Sequence, residues 1–416
     1  RVASYLTLCL AGVGLLLGLL RPSWLAARLS PYKSLSQALR ISDARLSFQR
    51  WNAYSRVDVV ESMQIHSAPG LSLKYKGQLP PQYALTIDGD NLGPISRRNA
   101  GEDVAFLSYL PVGLAFRLRP QASVLVLQPR GGLDVSVALQ LGARRVVAVE
   151  DNPLIAQVVR DIYGDFVGRL YEDPRVTLLL TDGRSALQRG EEHFDVVVLS
   201  LADSYHPISA GAYSLSENYL YTVEGLTRAL HRLSEDGLLV LTRWFQDPPS
   251  ESLRAGALAV AALERLGVGD PAQYLLAFRS WSTVTLLVCP SPLEKEDIAL
   301  FRAYCTDMGY DPIYCPGIQP EEANRYNILP QPLDYEAFQQ LLGGKDRRAL
   351  YKDQPYDISP PTDNRPFFGH YFRWRQVPGI ISQLGKTWQP FGGSGFLLVL
   401  AFLGAALIAA GGLVIL

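Results

Sequence analysis

The chain has 416 residues, of which 48% are hydrophobic and 19% charged, with a net charge of −1. That balance excludes a disordered, collagen-like or disulfide-scaffold protein, and it gives no electrostatic argument for nucleic acid. Four scattered cysteines (Cys9, Cys289, Cys305, Cys315) form no disulfide framework, and five histidines far apart in sequence carry no metal-ligand spacing such as HExxH. The sequence begins at Arg1 and holds only Met63 and Met308, which reads as a piece of a longer protein.

Residues 1–20 carry one charge, Arg1, and residues 391–416 carry none. A bilayer core needs about 20 apolar residues in a helix, so both runs read as transmembrane helices, each cut by a chain end. Arg21, Arg28, Lys33, Arg40 and Arg45 follow the first run, against Asp43; Arg365, Arg373, Arg375 and Lys386 precede the second with no acid. Basic flanks stay on the cytoplasmic side. The expectation is an integral protein of the plasma membrane with a cytoplasmic central region and a juxtamembrane segment over 21–45.

Residues 56–66 and 83–88 have strand composition, with turns at Pro69-Gly70 and Lys76-Gly77 between them. They predict a small antiparallel β domain over 46–98. From residue 99 to 290 short apolar runs alternate with helical segments: VLVL at 124–127, VVAV at 146–149, VTLLL at 176–180, VVVL at 196–199 and LLVL at 238–241. These runs lack a two-residue period, as strands buried on both faces do. Helices are predicted at 102–117, from Pro153, and at 221–232 and 251–266. Residues 273–279 and 283–289 then read as an antiparallel edge hairpin. The pattern predicts a doubly wound, mostly parallel α/β sheet of seven strands, of the nucleoside-binding methyltransferase type. One helix at 292–308 and an ordered loop region complete a C-terminal extension over 291–390.

The first strand-to-helix junction is Gln128-Pro129-Arg130-Gly131-Gly132, a weak glycine loop where backbone can approach a ligand. Glu150 ends the next strand about 20 residues on, with Asp151 beside it, where an acid accepts ribose hydroxyls. Asp182-Gly183 after the third strand suits an adenine. Neither GxxxxGK[ST] nor a full GxGxxG occurs, so a phosphate cradle is missing and a sulfonium nucleoside fits better. Ser200 opens the loop after the fourth strand, which offers Asp203, Tyr205 and His206, with Glu217 and Tyr221 beyond. Asp203 is the candidate orienting acceptor or base, His206 a base of suitable ordinary pKa, and Tyr205 and Tyr221 candidates for substrate contact.

These residues resemble the spermidine synthase family, within the S-adenosylmethionine-dependent methyltransferase folds. Asp173-Pro174-Arg175-Val176 is similar to that family's DPRV, Val149-Glu150-Asp151 to its VEID, and Thr181-Asp182-Gly183 to its adenine-site motif. Ile87-Asp88-Gly89 and Leu220-Tyr221 resemble its LDG and LY. The late stretches 216–226, 241–254, 314–327 and PTDNRPFF at 361–368 resemble the membrane-embedded branch of spermidine synthase-like proteins. The chain departs from the family where Gln128-Pro129-Arg130 replaces a GGGDG loop and where Ser200-Leu201-Ala202-Asp203 keeps only the second carboxylate of the catalytic loop.

The resemblance implies S-adenosylmethionine or decarboxylated S-adenosylmethionine, held by Gln128, Gly131, Gly132, Glu150, Asp151, Asp182, Gly183 and Ser200. The leading expectation is a membrane-anchored alkyltransferase, moving a methyl or aminopropyl group to a small-molecule or lipid-associated acceptor. Spermidine synthesis proper and a non-catalytic nucleoside-binding or transport-associated module are the alternatives. The small β domain offers a homodimer contact, as in the resembled family.

Overall fold

The computed structural model describes residues 2–20, 29–31, 33–99, 102–202, 216–343, 347–378, 382 and 394–415. Helix α1, Val2–Leu20, precedes the short helix α2, Ser34–Ala38. Four antiparallel strands follow in sequential order: β1 (Arg45–Trp51), β2 (Arg56–Glu61), β3 (Gln82–Ile87) and β4 (Asp90–Ser96). Leu35 and Ala38 of α2 pack with Val60, Ile65 and Ala84 on one face of this sheet.

The larger unit begins with α3 (Glu102–Ala105) and α4 (Gly113–Leu118), two short pieces where sequence predicts one helix over 102–117. Pro111 lies between them; it lacks an amide donor and constrains the residue before it, so a continuous helix is disfavoured there. Alternation then brings β5 (Ser123–Leu127), α5 (Leu133–Gln140), β6 (Arg145–Glu150), α6 (Pro153–Gln157), β7 (Val176–Leu180) and α7 (Gly183–Arg189). It continues through β8 (Phe194–Leu199), α8 (Val223–His231), β9 (Leu233–Trp244) and α9 (Glu251–Arg265). The edge hairpin is β10 (Leu275–Arg279) with β11 (Thr283–Val288), followed by α10 (Lys295–Met308), β12 (Asp311–Tyr314) and α11 (Leu333–Gly343).

The sheet has eight strands, not seven, in the order β12-β10-β11-β9-β8-β5-β6-β7. The five strands β7, β6, β5, β8 and β9 are parallel, and β11, β10 and β12 pair antiparallel beyond them. The extra strand is β12, four residues containing Pro312, a composition that only an edge position accepts. Every residue of β5 is buried, which is why its apolar run shows no alternation, whereas Leu179 and Leu180 on the edge strand β7 are exposed.

Strand order reverses between β5 and β8, which makes the crevice outside their carboxyl ends the place for a ligand. The small sheet closes one side of that crevice. A Cβ on Gly131 would stand 2.0 Å from the Pro94 carbonyl oxygen, so β4 lies on the glycine loop backbone to backbone. Tyr83 stacks on Phe166 at 4.2 Å, and the Tyr163 hydroxyl donates to Glu61, adding two further ties between the sheets.

A C-terminal strap runs along α9 and the starts of α7 and α8. The buried Arg254 of α9 donates to the carbonyls of Ser359 (3.0 Å), Phe368 (2.8 Å) and His370 (2.6 Å). Asp363 accepts from Arg184 at 2.7 Å and from the Thr222 hydroxyl at 2.6 Å, joining the PTDNRPFF stretch to the starts of α7 and α8.

Among the described residues no helix is long and apolar enough to cross a membrane. The two terminal runs are helical, at Val2–Leu20 and Ser394–Ile415, with Leu19 and Ile408 among their exposed side chains. The expectation that they are transmembrane helices therefore draws no support from the structure.

Candidate functional site

The junction after β5 turns through two non-glycine residues of positive φ, Gln128 (56°) and Arg130 (50°), before Gly132 (86°) caps α5. Only glycine adopts the last conformation freely, and a Cβ there would also meet Leu170 at 2.5 Å. Both glycines thus serve packing: Gly131 admits β4, and Gly132 admits Leu170. The Gln128 amide donates to Asp151 at 2.8 Å.

Glu150 ends β6 almost wholly buried. Its Oε2 accepts from the Arg130 backbone N–H at 3.1 Å, and its Oε1 from the Asn152 N–H at 3.1 Å and the Arg130 guanidinium at 2.6 Å. The same guanidinium nitrogen donates to Asp151 at 2.7 Å. Burial raises the Glu150 carboxyl to about 7, against the pull of Arg130. Asp151 is nearer the surface; burial there is outweighed by Arg130 and the neighbouring hydrogen bonds, which hold it at about 2. Glu150 thus ends β6 with an arginine from the glycine loop on it.

Asp182 caps α7 by accepting from the Ser185 N–H at 2.9 Å. Burial pushes its carboxyl up, and the hydrogen bonds from Ser185 outweigh it and leave it lowered. Gly183 begins that helix against Leu220.

A cavity of ≈ 60 Å³ opens at the strand ends. Gln128, Arg130 and Gly131 from the loop after β5 line it together with Ser200 and Leu201 after β8, and with Thr242 and Trp244 of β9. Glu150, Asp151, Asp182 and Gly183 are outside its lining, so the cavity unites only part of the expected cofactor set. Its volume is well below the several hundred Å³ usual for a bound nucleoside-sized ligand. A nucleoside-sized ligand would have to enlarge it; Arg130, which lines it, is also the side chain paired with Glu150.

Asp134, in the first turn of α5, lines this cavity and was missed by the sequence reading, which looked for an acid inside the glycine loop. Burial raises its carboxyl above the ordinary range, with the Ser200 hydroxyl pulling the other way. The available signal was an acid at the second position of the helix that follows the loop, where a carboxylate is favoured by the helix N-terminus.

Asp203, Tyr205 and His206 lie outside the described residues. Tyr221 is buried, tilted against Phe368 at 4.8 Å and under the Arg243 guanidinium at 4.9 Å, which places its ring in packing rather than in the cavity. Glu217 accepts from the Tyr219 hydroxyl at 3.1 Å. Among the described residues no group of histidine, cysteine or acidic side chains is arranged to hold a metal ion.

No family model matches the chain. The polyamine aminopropyltransferase of Pseudomonas syringae pv. tomato is 30% identical over 111 residues, covering 26% of this chain and 35% of that protein. The polyamine aminopropyltransferase of Thermoplasma volcanium is 24% identical over 218 residues, covering 52% of this chain and 67% of that one. The crystal structure of spermidine synthase from Thermotoga maritima aligns with a TM-score of 0.41 and 14% identity, over 74% of this chain and 87% of that one. The chain spans about a third of the length of the first curated relatives it matches, 35% in the Pseudomonas syringae case. In sequence it is similar to polyamine aminopropyltransferases, and it shares with the expected fold a mixed α/β sheet preceded by a small antiparallel one.

Proposed function

We propose that the chain is an alkyltransferase whose donor is a sulfonium nucleoside, decarboxylated S-adenosylmethionine first and S-adenosylmethionine second. The observation that carries this reading is the buried Glu150 at the end of β6, beside a cavity at the β5/β8 switch point that holds Asp134 and Ser200. Similarity to polyamine aminopropyltransferases supports an aminopropyl group over a methyl group.

The chemistry asks for alignment more than for covalent help, because the sulfonium is already activated. The acceptor nitrogen's lone pair forms the new C–N bond as the C–S bond breaks. The bonding pair stays on sulfur, which leaves as a neutral thioether, and the nitrogen's surplus proton passes to a carboxylate or to solvent. This chain's part is to hold the ribose on Glu150, to exclude water with the small sheet over Gly131, and to orient the acceptor within the cavity.

One observation favours a second reading. With Arg130 on Glu150, the chain as it stands suits a nucleoside-binding module that opens only on a signal, without turnover. Calorimetric titration with decarboxylated S-adenosylmethionine, followed by assay for methylthioadenosine release with added amines, separates the two. Binding with release supports transfer; binding without release across a broad amine panel supports the module; absence of binding at about 100 µM ends both.

The membrane part of the reading rests on the sequence: two uncharged terminal runs and their basic flanks. An integral protein would stay with the pellet after alkaline carbonate washing, whereas release into the supernatant would remove that part alone. A lipid-associated acceptor and a homodimer through the small sheet belong to the same proposal.

A further inference from the structure

Among the described residues the large sheet ends at β12 on one side and at β7 on the other, and the small sheet ends at β1 and β4. Three of these edge strands carry residues that keep an edge from pairing with a second chain: Arg45 and Arg50 in β1, Pro94 in β4 and Pro312 in β12. β7 reads Val-Thr-Leu-Leu-Leu, with neither a charge nor a proline. Leu179 and Leu180 are exposed on it. Beside them a cavity of ≈ 370 Å³ lies on the sheet face, between Leu125, Val147 and Val149 and Ala186 of α7.

Backbone direction fixes how a further strand fits. The Val146 N–H donates to the Arg175 carbonyl and the Thr181 N–H to the Glu150 carbonyl, so the odd-numbered residues of β7 turn toward β6. Direction alternates along a strand, which leaves Val176, Leu178 and Leu180 turned to the open edge. The Val176 N–H already donates to the Asp173 carbonyl. An antiparallel copy of the same strand, with Leu178 on a two-fold axis, pairs its full length. The two Leu178 residues then exchange both bonds, and each Leu180 N–H donates to the Val176 carbonyl opposite.

The side chains agree with that register. Leu179, which neighbours Val149 across β6, comes to face Thr177 of the copy, and apolar side chains are laid over the open side of the cavity. At both ends Arg175 comes beside the exposed Asp182 of the copy, an opposite charge.

We propose that β7 is a self-pairing edge: a second copy of this chain adds to it strand to strand, antiparallel about Leu178, joining two large sheets into one. The inference goes beyond the alkyl-transfer reading, and the contact is a different one from that through the small sheet. The contact is isologous, so one copy is a sufficient partner for another. It is also short, which sets its dissociation constant on the order of 10 µM.

The test uses the full chain in mild detergent. Hydrogen exchange is read amide by amide on the wild type from about 1 µM to about 200 µM, a range that spans the expected constant. The Leu178 and Leu180 amides should slow as concentration rises, whereas those of Thr177 and Leu179, turned to β6, should stay protected throughout. Sedimentation then compares Leu179→Lys, Leu179→Glu and their equal mixture. Like charges across the axis should weaken the dimer at least fivefold in either variant, and the mixture should associate at least threefold more tightly than either alone. A wild type that stays monomeric at about 200 µM, a dimer indifferent to the Leu179 changes, or a mixture no tighter than its components each overturns the proposal. Protection of Leu178 and Leu180 at every concentration would show another segment of the same chain on the edge, and overturns it too. The exchange experiment needs no variant, so it decides the matter even if one fails to fold.

Discussion

The Arg130 guanidinium lies 2.6 Å from Glu150 Oε1, reaching from the loop after β5 to the end of the neighbouring strand β6. Glu150 accepts three hydrogen bonds in this arrangement, of the roughly four an ionised carboxylate takes. The Glu150 side chain is almost wholly buried, so on the proposed reading a ribose hydroxyl reaches it only after Arg130 shifts.

Replacing Arg130 with Met removes a competing charge-assisted hydrogen bond but also the cation that pulls the Glu150 carboxyl down, so methylthioadenosine binding should tighten by about threefold to tenfold only at a pH well above about 7, where Glu150 is ionised. The same change should cost about 3 kcal/mol of stability, since it leaves Glu150 buried without its cation. Calorimetry and urea melts read the two effects separately. Weaker binding by the variant at that pH would show that Arg130 itself contacts the nucleoside.

Binding should also depend on pH through Glu150. Its carboxyl titrates at about 7 in the folded chain, and only the ionised form accepts from both ribose hydroxyls. Affinity for methylthioadenosine should rise as pH passes upward through about 7, then level off. Glu150→Gln should flatten the profile. A wild-type profile that is flat between about pH 6 and 8 would remove Glu150 from the ribose role.

Asp334 gives a stability test away from the site. It is buried, accepts from the Ser252 hydroxyl at 3.2 Å, and is raised to about 7, first by burial, against the pull of Arg279. A group raised on folding favours the fold below its unfolded pKa and loses that contribution as pH rises through the folded value. Asp334→Asn removes the titration. The melting temperature of the variant relative to wild type should climb by several degrees between about pH 5 and pH 8. A constant difference would show that Asp334 does not titrate there.

Much of the large sheet was legible because its strands are buried on both faces and read as plain apolar runs. The strands that were missed, β1, β4 and β12, are edge strands; β4 holds Gly93 and Pro94, and β12 holds Pro312, residues that propensity assigns to turns and that only tertiary position makes strand. At the site, spacing located Glu150 but could not say what its oxygens touch. Arg130 reaches it from a loop in which Gln128 and Arg130 both take positive φ, a backbone choice that the letters QPRGG do not announce. Asp134 was hidden by its place in a helix rather than in the loop.

Gly131 offers a packing test. With Pro94 oxygen 2.0 Å from where a Cβ would stand, Gly131→Ala must push the small sheet off the loop. Overpacking of this kind costs about 1–3 kcal/mol, and here both partners are backbone, so the upper end is expected. Hydrogen exchange should quicken in β4 before it does in β8. Unchanged protection in β4 would mean that the loop yields instead.

Arg254 holds the C-terminal strap by three carbonyls. Arg254→Ala should leave them unsatisfied at a cost of about 3 kcal/mol and expose residues 355–372 to limited proteolysis. Resistance equal to wild type would place the strap's anchorage on Asp363 instead.

The central claim is that a sulfonium nucleoside is held by its sugar on Glu150. Titration of wild type and Glu150→Ala with decarboxylated S-adenosylmethionine tests it most directly. Binding at about 10 µM or better and a loss of at least tenfold in the variant are expected, as a hydrogen bond to a charged group of about 1.5–3 kcal/mol requires. Equal affinity in the two proteins would contradict it.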